Sequence, residues 1–132
     1  MINSEDRNQL IAIRIRQAEK TVQSAEFCLA NKEHEMAANR IYYGMFYAVL
    51  ALALRHGFKT SKHGQLIGWF NREFVKTRQF EPRFSEILKQ AFDRRSDADY
   101  ELATLPSASE IELMLADMKT FIAQIEAFLQ KE

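Results

Sequence analysis

The chain has 132 residues, which suits one domain with one hydrophobic core. Its 47% hydrophobic and 27% charged residues are ordinary globular values and argue against a disordered or fibrous chain. Basic and acidic residues balance at 18 each, so no global polybasic character announces nucleic acid, and the single cysteine, Cys28, excludes an internal disulfide framework or thiolate zinc site.

The first residues, Met1-Ile2-Asn3-Ser4-Glu5-Asp6, are polar and acidic, unlike a signal peptide. A first helix is predicted from Ser4, as N-cap, to Ala30. Its apolar seam is Ile11, Ile15, Ala18, Val22, Ala25 and Leu29, in steps of three and four. A second helix runs from about Glu33 to His56 and stops at Gly57, a favourable residue just past a helix end. It is apolar on most faces and is therefore the expected central helix. Within it, Ile41 to Leu54 is the longest apolar run, too short to span a bilayer comfortably. A cytoplasmic protein is expected.

A third, shorter helix spans about Lys62 to Val75, with Leu66, Ile67, Phe70 and Phe74 inward. The fourth is predicted from Pro82 to Thr104. Its seam reads Phe84, Leu88, Ala91, Arg95, Ala98, Leu102, placing one guanidinium among five apolar residues. Pro106 ends that region, and Ser107 with Glu110 forms a capping box for a fifth helix. Its seam is Ile111, Leu115, Met118, Ile122, Ile125 and Leu129. No strand-type alternation persists. The expected fold is all-α: an up-and-down four-helix bundle with one additional short helix, forming a single domain over 1–132.

Charge is unevenly spread. Residues 55 to 95 carry +6, and the remainder carries −6. A basic middle suits phosphate or an acidic partner, although a solvated helix surface explains it equally well. Arg95 is the focus, because a seam arginine needs an anionic partner, a wet cleft or a subunit interface. Asp99 lies four residues on, where an intrahelical ion pair is the plainer explanation. His63, in Thr60-Ser61-Lys62-His63-Gly64, stands at a helix start, where a structural hydrogen bond competes with a site role. Tyr42, Tyr43, Phe46 and Tyr47 surround Gly44. Core packing explains that cluster, with base stacking as the alternative for an exposed ring. No Glu-x-x-His pair supports a di-metal site, and no cofactor motif is present.

Four stretches carry a resemblance to a known family. They are Ala38-Asn39-Arg40-Ile41-Tyr42-Tyr43-Gly44-Met45-Phe46, Lys62-His63-Gly64, Phe70 with Phe74-Val75-Lys76, and Arg95-Ser96-Asp97-Ala98-Asp99-Tyr100. In their order and spacing the chain resembles HEPN domains (higher eukaryote and prokaryote nucleotide-binding). It most resembles the stand-alone bacterial and archaeal proteins related to the C-terminal domain of kanamycin nucleotidyltransferase. The resemblance implies a homodimer and a minimal nucleotidyltransferase partner, in a toxin–antitoxin arrangement. It also implies metal-independent RNA cleavage by an Arg-x4–6-His motif assembled across the dimer, with Arg95 as the motif arginine. Tyr100 occupies the histidine position, and no histidine follows Arg95.

That substitution matters chemically. Attack of a ribose 2′-OH on phosphate needs a base, an acid and positive charge. Histidine titrates near 6.5 and tyrosine near 10, so Tyr100 is a poor base. The leading expectation is therefore RNA or nucleotide binding, through Arg95, Asp99, Lys62, Arg94 and Tyr43, with little catalysis. The alternatives are an active ribonuclease using Arg95, His63 and Tyr100, and a non-enzymatic protein-interaction module.

Overall fold

A computed structural model describes residues 3–95 and 106–132. Among them there are only helices: α1 (Ser4–Ala30), α2 (His34–Arg55), α3 (His63–Phe70), α4 (Arg83–Asp93) and α5 (Ala108–Lys131). The all-α bundle expected from the sequence is the fold. None of these helices is long and apolar enough to cross a membrane.

The first helix is capped one residue earlier than expected. The Asn3 side chain accepts from the Asp6 amide at 2.8 Å, so Asn3 and not Ser4 is the N-cap. At the other end the Glu33 amide donates to the Cys28 carbonyl, and Lys32 takes the left-handed conformation (φ 62°). This six-residue closure folds α2 back along α1. The seam of α1 also differs in detail. Ile11, Ala18, Thr21, Ala25 and Cys28 are buried, while Ile15, Val22 and Leu29 pack at its margin.

Helix α2 is central, touching α1, α3, α4 and α5. Tyr42, Ile41, Met45 and Leu52 are almost wholly inaccessible. Gly44 allows a close approach there, since a Cβ at that position would collide with the Met118 methyl and touch Thr21. Gly57 (φ 71°) ends α2 with the same closure, the Phe58 amide donating to the Ala53 carbonyl at 2.9 Å. The chain leaves in a fixed direction, and five residues later it starts α3 with His63. Past Phe70 the helix continues as a wider π-helical turn over Asn71–Val75, closed by the Lys76 amide on the Asn71 carbonyl. Phe70, Phe74, Phe80, Phe84 and Phe121 then fill the far end of the core.

The seam expected for helix four holds for Phe84, Leu88 and Ala91, which are buried, but not for Arg95. The helix ends at Asp93, with Arg94 as its C-cap. Arg95 therefore lies past the helix and is half-buried, so it does not sit within an apolar helical stripe. The physical reason is local. The Arg95 guanidinium bends back, and Nη1 donates to the Phe92 carbonyl at 2.6 Å. That satisfies one of the orphan carbonyls and sets positive charge at the negative end of the dipole. Ala98, Asp99, Tyr100 and Leu102 lie outside the described residues. At the start of α5, Ser107 caps the Glu110 amide as expected, and all six seam residues are buried.

Candidate functional site

Arg95 and His63 stand 32 residues apart in the sequence, one just past the end of α4 and one at the start of α3. The fold brings them to one place, through the N-terminal half of α2. Tyr42 is fully buried there, and its Oη lies 2.7 Å from Nδ1 of His63. The Phe46 ring lies flat on the His63 ring, with centroids 4.2 Å apart and planes 10° from parallel. Tyr43 meets the same imidazole edge-on at 5.9 Å. On the α4 side, Phe92 is 6.4 Å from His63 and 5.5 Å from Tyr42. Arg95 rests its guanidinium on Phe92, with Cζ 3.7 Å from the ring centroid and 5.9 Å from that of Tyr42.

The Arg95 backbone is held as firmly as its side chain. Asn39 of α2 donates from Nδ2 to the Arg95 carbonyl at 3.0 Å. The Asn39 oxygen in turn accepts from Nε and Nη2 of Arg40, at 3.2 and 2.8 Å. A bond spanning 56 residues thus pins the turn after α4 to the central helix. Among the described residues, no carboxylate lies within ion-pair distance of Arg95. Its described hydrogen bond engages one of five N–H donors, which leaves donors able to meet a phosphate bidentately.

Electrostatics follow from this crowding. Burial, and secondarily the Arg95 charge, lowers the His63 pKa below its usual 6.5. The ring is therefore neutral at pH 7 and chemically a base. Burial raises the Tyr42 pKa strongly, Arg95 opposes this, and Tyr43 adds to it. Tyr42 remains a neutral phenol that holds the imidazole. Two tautomers are available. If the phenol donates to Nδ1, the proton on Nε2 can donate to a phosphate oxygen. If Nδ1–H donates to the phenol, Nε2 offers a lone pair that can take a proton. The arrangement is a base, a group that orients it and a fixed positive charge, so it meets two of the three needs of acid–base chemistry at a phosphate.

The other expected site residues fall as follows. Lys62 is exposed and is the N-cap of α3, directly before His63. Tyr43 is half-buried beside the imidazole, with the Arg40 guanidinium 5.4 Å from its ring centre. Arg94 forms an ion pair with Glu110 of α5 at 2.7 Å, which ties α4 to α5. Asp99 and Tyr100 lie outside the described residues. Tyr42, Phe46, Asn39 and Arg40 were not picked out as site residues. The signal for Tyr42 was its hydroxyl in an otherwise apolar stretch, since a buried phenol needs a partner. No group of three or more His, Cys, Asp or Glu among the described residues is placed to hold a metal ion. A separate cleft of about 480 Å³ opens between α1 and α5, lined by Ile11, Ile15, Arg16, Arg55 and Glu126. No histidine, cysteine or hydroxyl side chain lines it, and Arg55 there is engaged by Glu132 and the Leu129 carbonyl.

Known proteins are similar in sequence to this chain over most of its length. A protein of Thermotoga maritima named UPF0332 protein is 32% identical over 124 residues, covering 94% of this chain and 89% of that protein. A protein of Methanocaldococcus jannaschii, whose name includes the words "Putative toxin", is 30% identical over 115 residues, covering 87% and 78% respectively. A second UPF0332 protein, from Archaeoglobus fulgidus, is 28% identical over 123 residues, covering 92% and 96%. The profile of the HEPN domain matches residues 11–128, a span that holds α2, α3, α4 and every residue of the Arg95–His63 cluster, so the chain belongs to the HEPN domain family.

Proposed function

We propose that this chain is a toxin-like HEPN protein that binds RNA over Arg95 and cleaves it weakly without metal, with His63 as the proton-transferring group. The observation that carries the reading is the meeting of His63, Tyr42 and Arg95 described above. A 2′-OH beside Nε2 of His63 would lose its proton to the imidazole as the oxygen attacks the adjacent phosphorus. Arg95 would neutralise the charge gathering on the phosphate oxygens. The leaving 5′-oxygen must then gain a proton, from water or from protonated His63. Lys62 adds long-range attraction. The toxin name of one relative supports a toxin role, and the resemblance noted in the sequence supplies the partner expected to hold it in check, a minimal nucleotidyltransferase.

Binding is the first test. In fluorescence anisotropy with a labelled RNA hairpin, the wild type should bind, and affinity should fall as salt rises. Arg95→Ala should bind at least about tenfold more weakly, the loss of a charge-assisted contact, with unchanged helicity. Unchanged affinity at matched salt would refute the phosphate role. A flat salt titration would favour binding of a protein partner instead.

A homodimer, burying part of α2 and α4, is the assembly this reading expects. Met36 is about half exposed (49%), and Tyr43 and Tyr47 are half-buried on the same outer face of α2. Such a face is more apolar than a solvated helix needs. Light scattering at tens of micromolar should give twice the chain mass. A monomer mass would sink the dimer.

A further inference from the structure

The buried face of α1 carries an arginine. Ile11, Arg14, Ala18, Thr21, Ala25 and Cys28 follow each other in steps of three and four, and all but Arg14 are buried. Arg14 is half-buried, and its Nη1 donates to Gln17 Oε1 at 2.9 Å. Its Nε is inaccessible and has no hydrogen-bond partner among the described residues. A guanidinium N–H removed from water and left unpaired is costly. Among the described residues no carboxylate pairs with this guanidinium, so its charge is open to an anion that reaches its exposed part.

A cleft lies where that anion would sit. It encloses about 160 Å³ and is lined by Arg14, Lys59 and Thr60 over Leu50, Leu54 and Phe58. Two cations face it and no carboxylate does. Small-molecule pockets run to roughly 300–1,000 Å³. This cleft is too small for such a ligand and large enough for one anionic group presented by a longer one. Its place is informative. Leu50 is four residues past Phe46, which stacks on His63, so the near edge of the cleft sits about 6 Å further along α2. Thr60 is three residues before His63, on the loop that leads into α3.

We propose that this cleft is a second phosphate subsite, in which Arg14 and Lys59 hold a backbone phosphate of the RNA strand bound at Arg95. The inference rests on the RNA-binding reading above and deepens it. Arg14, which lines the cleft, supplies the inner contact through its guanidinium, and Lys59, exposed at the rim, supplies the outer one. The strand would run from His63 past Phe46 to Leu50, its reacting phosphate at His63 and a neighbouring one in the cleft. Binding would then gain from a strand longer than the reacting step.

The experiment compares a dinucleotide with a single strand of about ten nucleotides, over a series of salt concentrations. Arg14→Gln and Lys59→Gln should each weaken the longer strand about tenfold and lower its salt slope by about one, the signature of one lost phosphate contact. Neither should affect the dinucleotide, whereas Arg95→Ala should weaken both. Lys59→Gln, at an exposed position, keeps the test intact should Arg14→Gln fail to fold. Unchanged binding of the longer strand by Lys59→Gln and by folded Arg14→Gln, with Arg95→Ala still impaired, would overturn the subsite and leave the RNA-binding reading standing. Equal weakening of both RNAs would point to a general charge effect and also overturn it. A wild type that binds neither RNA would overturn both proposals. Inorganic phosphate that raises the melting temperature of the wild type but not of Arg14→Gln, with no dependence on RNA length, would assign the cleft to a free anion instead.

Discussion

Replacing His63 by alanine should lower metal-free RNA cleavage by about 10²–10⁴-fold, the usual contribution of a positioned acid–base group. Binding should change little, because Arg95 and Lys62 remain. The alanine variant has a structural cost as well. The buried Tyr42 hydroxyl would lose its 2.7 Å partner, and an unsatisfied buried group costs about 1–3 kcal/mol. His63→Gln is the cleaner variant, since an amide can still meet the phenol but cannot take up a proton near neutral pH. Both variants should lose activity, and the glutamine variant should melt closer to the wild type. Cleavage retained by His63→Gln would remove the imidazole from the mechanism.

The same group sets a pH signature. The reacting form of His63 is neutral, and its pKa in the free protein lies below 6.5. As pH rises, kcat/KM should therefore increase through an apparent pKa below 6.5 and level off by neutrality. A phosphate bound beside the ring favours its charged form, so the corresponding limb of kcat should lie at higher pH. Stability follows the matching sign. Below about pH 6.5 the unfolded chain takes up a proton that the folded ring resists, so the fold loses stability as pH falls through that range. His63→Gln should lose that part of the acid sensitivity.

Much of the fold was legible because it is written in short-range spacing. The step of three and four marks α5 residue by residue, and Gly57 marks the end of α2. Helix four was read as too long for the same reason. Arg95 continues the helical spacing past Asp93, but spacing does not reveal a competing contact. Here the competitors are the Arg95 guanidinium on the Phe92 carbonyl and the Asn39 amide on the Arg95 carbonyl. The second joins residues 56 apart, beyond the reach of any local pattern. The site was half legible on similar terms. Arg95 stood out as a charge in apolar company. His63 looked ambiguous because its partners, Tyr42 and Phe46, belong to another helix and read as core. Tyr42 is core and Phe46 packs at its margin, and both also orient the imidazole.

Tyr100→His should raise cleavage above the wild-type level. The resemblance to active HEPN ribonucleases places a histidine at this distance after the arginine, and this chain carries a phenol there. A phenol titrating near 10 is about three pH units from useful ionisation at neutrality, whereas an imidazole near 6.5 is almost ideally poised. The wild type has one imidazole at the site, His63. One group can take the 2′-proton, but the departing 5′-oxygen then waits for water or for the same ring. A second imidazole would divide the labour, one as base and one as acid, and the gain should approach 10²-fold. It should also add an alkaline limb to kcat/KM, since one imidazole must then be charged while the other is neutral. The double variant Tyr100→His with His63→Gln separates the roles. If it cleaves as well as Tyr100→His alone, position 100 supplies the whole acid–base function and His63 is an orienting partner of Tyr42. If it falls to the level of His63→Gln, the two imidazoles work as a pair and the cluster built around α2 is the centre of the chemistry.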